Sequence, residues 1–524
     1  FIQIALISNF LTMKKTSYVV YFLIFTFFAC QNSEVFFEDA LCIENISTID
    51  PEVGLLENQT IIIKAGKIIQ ISPSPELQLS KQNTIIDGTG KFMIPGLWDA
   101  HIHFSFIKEM APNMLDLFLA YGITSVRDTG GDINFVNTWK EKSLANPTDA
   151  PRVMVAGPLL DGNPNVYDGS DHSHPPLSVG LKTVEDVTNK IIELDSLKVD
   201  FLKAYEMLTP EQFKEVTKLA KEKGLKVTGH VPLSMDVIGA SNAGLNSMEH
   251  FRNLELSCAS NSDELLLERQ QLLASGKEDK GGVLRSRIHK KQREIALKNF
   301  DVNKANEVLE VLKKNDTWQI PTLTLNTAFA RRPFAAKDWQ KSFSYLPKNI
   351  KEQWLNYINN LVKSEVKPFD EKYAKWMFNM TKRVHEKGIK IMAGTDTPIF
   401  FLTPGLSLHE ELAVLVEAGL SPLEALKSAT TNPAAYFNLE KELGKIAINN
   451  WADLVILNAN PLEDINNTKE INAVIKQGKY FNRGQLDILL KTLTKKKSIG
   501  FQLPVLFYLL ASALAHNQPP VQAF

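Results

Sequence analysis

The chain has 524 residues and a formal net charge of −1. It is therefore longer than one ordinary domain, and it lacks the basic face that binding to nucleic acid would need. Hydrophobic residues make up 44%, as in a globular protein, and Cys30, Cys42 and Cys258 are too few and too scattered for a disulfide framework or a thiolate metal site.

The amino end reads as an export signal. Met13 is followed by Lys14 and Lys15, then by apolar residues from Tyr18 to Phe28, then by Ala29 and Cys30. Basic, apolar, small is the order of regions in a signal peptide. The apolar core is short for a transmembrane helix. Cys30 directly after Ala29 resembles a bacterial lipoprotein lipobox, although Phe27 and Phe28 stand where small or aliphatic residues are usual. The expectation is an exported protein of the bacterial cell envelope, either periplasmic or held to the membrane by a lipid on Cys30. An uncleaved anchor and a soluble exported protein are the alternatives. Residues 13–30 form this signal, and residues 1–12 read as translated upstream sequence.

Residues 31–91 carry short β-rich runs between turns. Ile61 to Ile71 reads as a hairpin turning at Ala65-Gly66. Residues 441–485 have the same character, for example Ala452-Asp453-Leu454-Val455-Ile456-Leu457. Between them, in residues 92–440, strands and helices alternate, which argues for a parallel sheet with helices outside. Candidate strands are 92–98, 123–128, 152–157, 199–203, 226–230, 246–250, 317–323 and 389–395, enough to close a (β/α)8 barrel. Thr209-Pro210-Glu211-Gln212 and Ser421-Pro422-Leu423-Glu424 are capping boxes with proline at the first helical position. The charged stretch 261–314 reads as helical, a lid at the barrel mouth or a solvated insertion. Residues 486–524 form a tail of unknown role, with an apolar run from Leu503 to Leu514 that is short for a membrane span.

The chemistry-bearing residues fall at strand ends. In Ala100-His101-Ile102-His103, period two puts both imidazoles on one face, where each offers a lone pair to a divalent metal. Four more apolar runs end in Lys203, His230, His250 and Asp396. That order, H-x-H, K, H, H, D, resembles the amidohydrolase superfamily over roughly residues 50–485. The resemblance implies an α/β fold, a (β/α)8 TIM barrel with a small β-sandwich built from both chain ends. It implies two divalent ions, most simply zinc. His101, His103 and Asp396 would hold one ion and His230 and His250 the other, with a carbamate on Lys203 bridging them. Such ions lower the pKa of water towards neutrality and polarise a carbonyl. Asp396 would act as general base and then acid, passing a proton to the leaving amine.

Further residues bear on substrate. His172 and His174, in the loop after the third barrel strand, and Tyr205, two residues past Lys203, are candidates for contact with a substrate carboxylate. Arg127 and Asp128 read as a structural ion pair, His409 as structural, and His289 and His385 as surface. Mononuclear deaminases of this fold carry an acid where this chain has Ser234, which disfavours deamination. Imidazolonepropionase-like members lack the strand-four lysine, which Lys203 supplies. The pattern is similar to the prolidase-like branch. The expected substrate is a small molecule or dipeptide, of the Xaa-Pro or N-acyl amino acid type. A cyclic amide, lactone or phosphoester hydrolase is the second reading, and a non-catalytic envelope binding protein the third. A homo-oligomer is left open.

Overall fold

The structure, a computed structural model, describes residues 34–170 and 174–494. The signal segment with Cys30, His172, and the tail beyond residue 494 lie outside the described residues. Five strands open the chain: β1 (Ala40–Asp50), β2 (Gly54–Lys64), β3 (Lys67–Pro73), β4 (Thr84–Asp87) and β5 (Phe92–Pro95). Next come β6 (Leu97–Ile102), β7 (Ile123–Asp128), β8 (Arg152–Val155), β9 (Leu159–Asp161), β10 (Ser178–Gly180) and β11 (Phe201–Ala204). Then follow β12 (Lys226–Gly229), β13 (Ser247–Glu249), β14 (Trp318–Ile320), β15 (Leu454–Leu457), β16 (Ile471–Lys476) and β17 (Lys479–Asn482).

The two ends of the chain meet in one eight-stranded mixed sheet, ordered β17-β16-β15-β5-β1-β2-β3, with β4 beside β1. The seam is β5, which pairs antiparallel with β15 and parallel with β1. Ile43, Ile61, Met93, Leu454 and Ile475 form one apolar cluster across that seam, so neither end buries its face without the other. The hairpin turns where the sequence places it. Ala65 and Gly66 have φ of 51° and 79°, the left-handed pair that a two-residue turn between twisted strands needs.

The expected first barrel strand, 92–98, is two strands. Gly96 separates β5, which stays in the end sheet, from β6. A Cβ on Gly96 would lie 2.3 Å from Thr124 Oγ1, so only glycine lets the chain cross there. The remaining strands form two parallel sheets, β6-β7-β8 and β10-β9-β11-β12-β13-β14. The molecule is thus α/β, with mixed and parallel sheets and many helices. Six of the expected strands appear as β7, β8, β11, β12, β13 and β14, some shortened. The seventh ends early because Thr322 takes a left-handed φ of 46°.

The expected strand 389–395 is an extended segment with isolated bridges, not a regular strand. It still hydrogen-bonds on both sides. Met392 N–H donates to the Gln319 carbonyl of β14, and Ala100 N–H of β6 donates to the Ala393 carbonyl, both at 2.9 Å. Gly394 makes this fit: a Cβ there would meet His101 Cβ and Ile320 Cγ2 at 2.8 Å.

Both capping boxes form, at Thr209 and Ser421. Residues 261–314 are helical, as Ser262–Ser275, Gly281–Lys298 and Val302–Lys314. The described part of the tail is helix Arg483–Leu493. It buries Leu486, Leu490 and Leu493 and packs against helix Ala111–Ala120.

Candidate metal centre

All six ligand candidates line one cavity: His101, His103, Lys203, His230, His250 and Asp396. The strands deliver them. His101 lies in β6 and His103 just past its end, Lys203 lies in β11, and His230 and His250 follow β12 and β13 directly. Asp396 follows the extended segment between β14 and β6. His101 Nε2 and His103 Nε2 are 3.2 and 3.1 Å from Asp396 Oδ1, and His250 Nε2 is 3.5 Å from Asp396 Oδ2. The ligand atoms of His101, His103 and Asp396 lie within 4.8 Å of one another.

Each histidine is fixed through its other nitrogen. His101 Nδ1 meets Glu249 Oε2 at 2.6 Å, His103 Nδ1 the Gly130 carbonyl at 2.8 Å, and His230 Nδ1 Glu206 Oε1 at 2.6 Å. His250 Nδ1 meets Thr322 Oγ1 at 2.6 Å, and that hydroxyl itself donates to the Pro321 carbonyl. In every case the partner accepts, so Nδ1 carries a hydrogen and Nε2 is the nitrogen turned to the cavity. A metal-ligating imidazole is held this way. Left-handed backbone at His250, Thr322 and Asp396, with φ of 59°, 46° and 66°, gathers at this ring. Non-glycine residues adopt it only where the surroundings impose it.

The electrostatics fit the same chemistry. Burial drives the His230 and His250 imidazoles well below their usual range, so both are neutral. Burial opposes the charge on Asp396, but His101 and His103 beside its Oδ1 outweigh it and hold the carboxyl well below the usual carboxylate range. Burial lowers the Lys203 ammonium to about 8, against the pull of Glu249. The Lys203 side chain is 1% exposed, and its buried Nζ makes no hydrogen bond and is 3.9 Å from Glu249 Oε1. A buried amine without a partner is costly. The donor set of His101, His103 and Asp396 fits a divalent metal ion.

Other expected positions differ. Tyr205 is in the cavity wall, its ring 4.4 Å from that of His230. His174 is buried against Tyr167, with ring centroids 5.5 Å apart, and does not line the cavity. Arg127 does not pair with Asp128. Asp128 accepts from the N–H groups of Phe104 and Gly130, while Arg127 reaches Glu249 Oε1 at 2.7 Å. His289, read as a surface residue, is 2% exposed and meets Glu206 Oε2 at 2.6 Å. It faces inwards because helix Gly281–Lys298 turns both Arg285 and His289 onto Glu206. His409 is structural, bonded to Thr468 Oγ1 and the Tyr121 carbonyl. Ser234 Oγ donates to the Leu208 carbonyl and lies outside the cavity lining.

Three residues of the site were missed from the sequence: Glu206, Glu249 and Arg252. The signal available was a charged residue inside an apolar strand end, as in Ser247-Met248-Glu249. A buried charge there must find its partner in space. Glu249 is shared by His101, Arg127 and Thr228. Glu206 is shared by His230, His289, Arg285 and Arg252. Arg252 lines the cavity.

The sequence profile of the amidohydrolase family matches residues 92–480. Among curated proteins, an adenine deaminase of Clostridium perfringens is 23% identical over 206 residues, covering 37% of this chain and 33% of its own. An imidazolonepropionase of Salmonella schwarzengrund is 32% identical over 93 residues, 17% of this chain and 23% of its own. The matches thus span a third or less of those relatives. Among solved structures, a Xaa-Pro dipeptidase with methionine bound in its active site superposes with a TM-score of 0.60 at 19% identity, covering 84% of this chain and 100% of that one. A putative prolidase from Bifidobacterium longum gives 0.59 at 22%, covering 87% and 99%. Bottromycin amidohydrolase gives 0.62 at 18%, covering 88% and 91%. At these identities the likeness is one of fold.

Proposed function

The chain belongs to the amidohydrolase family, and we propose that it is a metal-dependent hydrolase of Xaa-Pro-type dipeptides or N-acyl amino acids, cleaving the carbon–nitrogen bond of substrates with a free carboxylate. The observation that carries this is the convergence of His101, His103, Lys203, His230, His250 and Asp396 on one cavity, with each histidine's Nδ1 already engaged. The solved relatives named as a Xaa-Pro dipeptidase and a prolidase agree with it.

In this reading β6, β7, β8, β11, β12, β13, β14 and the segment 389–397 close a (β/α)8 barrel spanning 92–440. The hydrogen bonds from that segment to both β14 and β6 support closure. His101, His103 and Asp396 would hold one divalent ion and His230 and His250 a second, zinc in both cases, with a carbamate on Lys203 between them. Bound there, the ions would supply Lewis acidity and bring the pKa of water towards neutrality. The rest falls to the chain. Asp396 is ionised and buried, so its carboxylate can take a proton from the attacking water and return it to the leaving amine. Phe106, Leu159, Leu177 and Ile399 form the apolar part of the wall and exclude bulk water. Tyr205, in the cavity wall, would orient substrate. Export is part of the proposal, resting on the order Lys14-Lys15, apolar run, Ala29-Cys30. A Cys30→Ser variant should then leave the membrane fraction.

The test is a panel assayed with metal-loaded protein. It pairs dipeptides and N-acyl amino acids, each with its carboxylate free and amidated, with lactones, hydantoins and phosphotriesters. Hydrolysis of the free-carboxylate set is expected. Activity confined to the cyclic or phosphoester compounds would overturn the assignment.

A further inference from the structure

We propose that helix Gly281–Lys298, inserted between β13 and β14, is a positioning element of the active site: its His289 holds the Glu206 carboxylate, and Glu206 thereby fixes the ring of His230. His289 does not line the cavity. It acts through Glu206 and is a positioning residue. The geometry of His230 stands by itself, while its consequence for an ion at His230 and His250 rests on the two-ion reading above.

Chemistry sets the direction of every bond in this relay. A guanidinium only donates and a carboxylate only accepts. Arg293 Nη2 donates to His289 Nδ1 at 3.4 Å, so His289 carries its hydrogen on Nε2. That Nε2 donates to Glu206 Oε2 at 2.6 Å. Glu206 Oε1 accepts from His230 Nδ1 at 2.6 Å and from Arg285 Nε at 3.0 Å. Both oxygens of a fully buried carboxylate are thus engaged. His230 is left with Nε2 turned to the cavity.

The helix is built to deliver this contact. Arg285, His289 and Arg293 recur at i, i+4 spacing, which stacks them on one face, and all three are buried. The first turn is seated on residues 162–177 more closely than a side chain allows. A Cβ on Gly281 would lie 2.2 Å from the Asn165 carbonyl oxygen, and one on Gly282 would lie 2.5 Å from His174 Nε2. Tyr167 and Leu177, from the same stretch, line the cavity. Further along, Arg293 Nε donates to Glu255 Oε1 at 2.9 Å. Held at both places, the helix fixes where His289 stands. A buried carboxylate oxygen that loses its donor is costly. Loss of His289 would therefore turn Glu206 from its present position and release the His230 ring.

The test uses the full chain, zinc-loaded and checked by circular dichroism, as wild type, His289→Leu, His289→Gln and Leu284→Ala. Glutamine offers an amide donor to Glu206 and a carbonyl to Arg293, and leucine offers neither. Leu284 packs with Leu233 and Ile288 in an apolar cluster, so Leu284→Ala weakens the helix packing without removing a partner of Glu206. Dialysis against a chelator should release one zinc ion from His289→Leu about 10–100-fold faster than from wild type, and the other at the wild-type rate. His289→Gln should hold both. Leu284→Ala should lower Tm and hold both. The imidazole N–H proton resonance of His230, identified by its absence in His230→Asn, should shift in His289→Leu and return in His289→Gln. An unshifted His230 resonance in folded His289→Leu, or release of both ions from it at the wild-type rate, would overturn the proposal. Equal loss of zinc from Leu284→Ala would mark general loosening and overturn it too. Wild-type protein holding fewer than two zinc ions would instead remove the two-ion reading. The shift of His230 in His289→Leu, restored in His289→Gln, would then leave the role of His289 standing, and its absence would overturn it.

Discussion

Glu249 Oε2 lies 2.6 Å from His101 Nδ1, and Oε1 of the same carboxylate lies 2.7 Å from the Arg127 guanidinium. One buried acid thus sets the hydrogen of a candidate ligand histidine and neutralises an arginine beneath the ring. Arg127, Lys203 and His101 together hold its carboxyl well below the usual range despite burial. Glu249→Gln should weaken metal retention by about 10–100-fold, since the partner that orients His101 is altered. It should also lower Tm, because breaking a buried pair and leaving one charge behind costs on the order of 3–5 kcal/mol. Metal content after dialysis against a chelator and a thermal melt measure the two effects separately.

Lys203 is the residue whose role is least intelligible without a metal. Lys203→Ala should reduce hydrolysis by about a hundredfold or more, as expected for loss of a shared ligand. Short carboxylic acids such as propionate should restore part of that activity and part of the bound metal by occupying the vacated volume. Unchanged activity in the variant would remove Lys203 from the centre.

Gly394 has no room for a side chain. A Cβ there would press on His101 and Ile320 at 2.8 Å, and both belong to the strands flanking the segment that carries Asp396. Gly394→Ala should therefore cost about 1–3 kcal/mol of stability and separate His101 from Asp396. Loss of metal with only a modest fall in Tm is the expected signature, and full metal retention would contradict it.

Glu411 gives a pH signature. Its carboxylate accepts the N–H groups of Leu323 and Thr324 at 2.8 and 2.7 Å, holding the turn from which Thr322 reaches His250. Burial outweighs those bonds and pushes the carboxyl up from 4.5 to about 7. A raised acid pKa in the folded state means that the folded chain holds a proton the unfolded chain has released. The stabilisation is therefore complete below about pH 4.5 and is lost as pH rises towards 7, by roughly 3 kcal/mol for a shift of this size. Glu411→Gln cannot titrate there. The Tm of the wild type relative to Glu411→Gln should fall between pH 5 and 7.5, and parallel curves would show that Glu411 ionises normally.

The sequence by itself marked the six candidate ligands that share one cavity, and the character of the fold. His101, His103, Lys203, His230, His250 and Asp396 are legible because each ends a short apolar run, and because strand period and helix caps are local properties. Thr209 and Ser421 cap where their spacing says they should, for the same reason. What only the tertiary structure decided is everything that depends on partners distant in sequence. The first strand divides at Gly96 because Thr124 lies against it, and segment 389–397 is irregular because it is squeezed between β6 and β14. His289, an ordinary residue of a charged helix in sequence, is buried on Glu206. Arg127 takes Glu249 in preference to its neighbour Asp128, whose oxygens are already held by backbone N–H groups. A buried charge is stable only beside its partner, and for Glu206, Glu249 and Arg252 that partner comes from another strand or helix. Pattern along the chain can mark such residues as charged, but only the packing of the strand ends fixes what they hold.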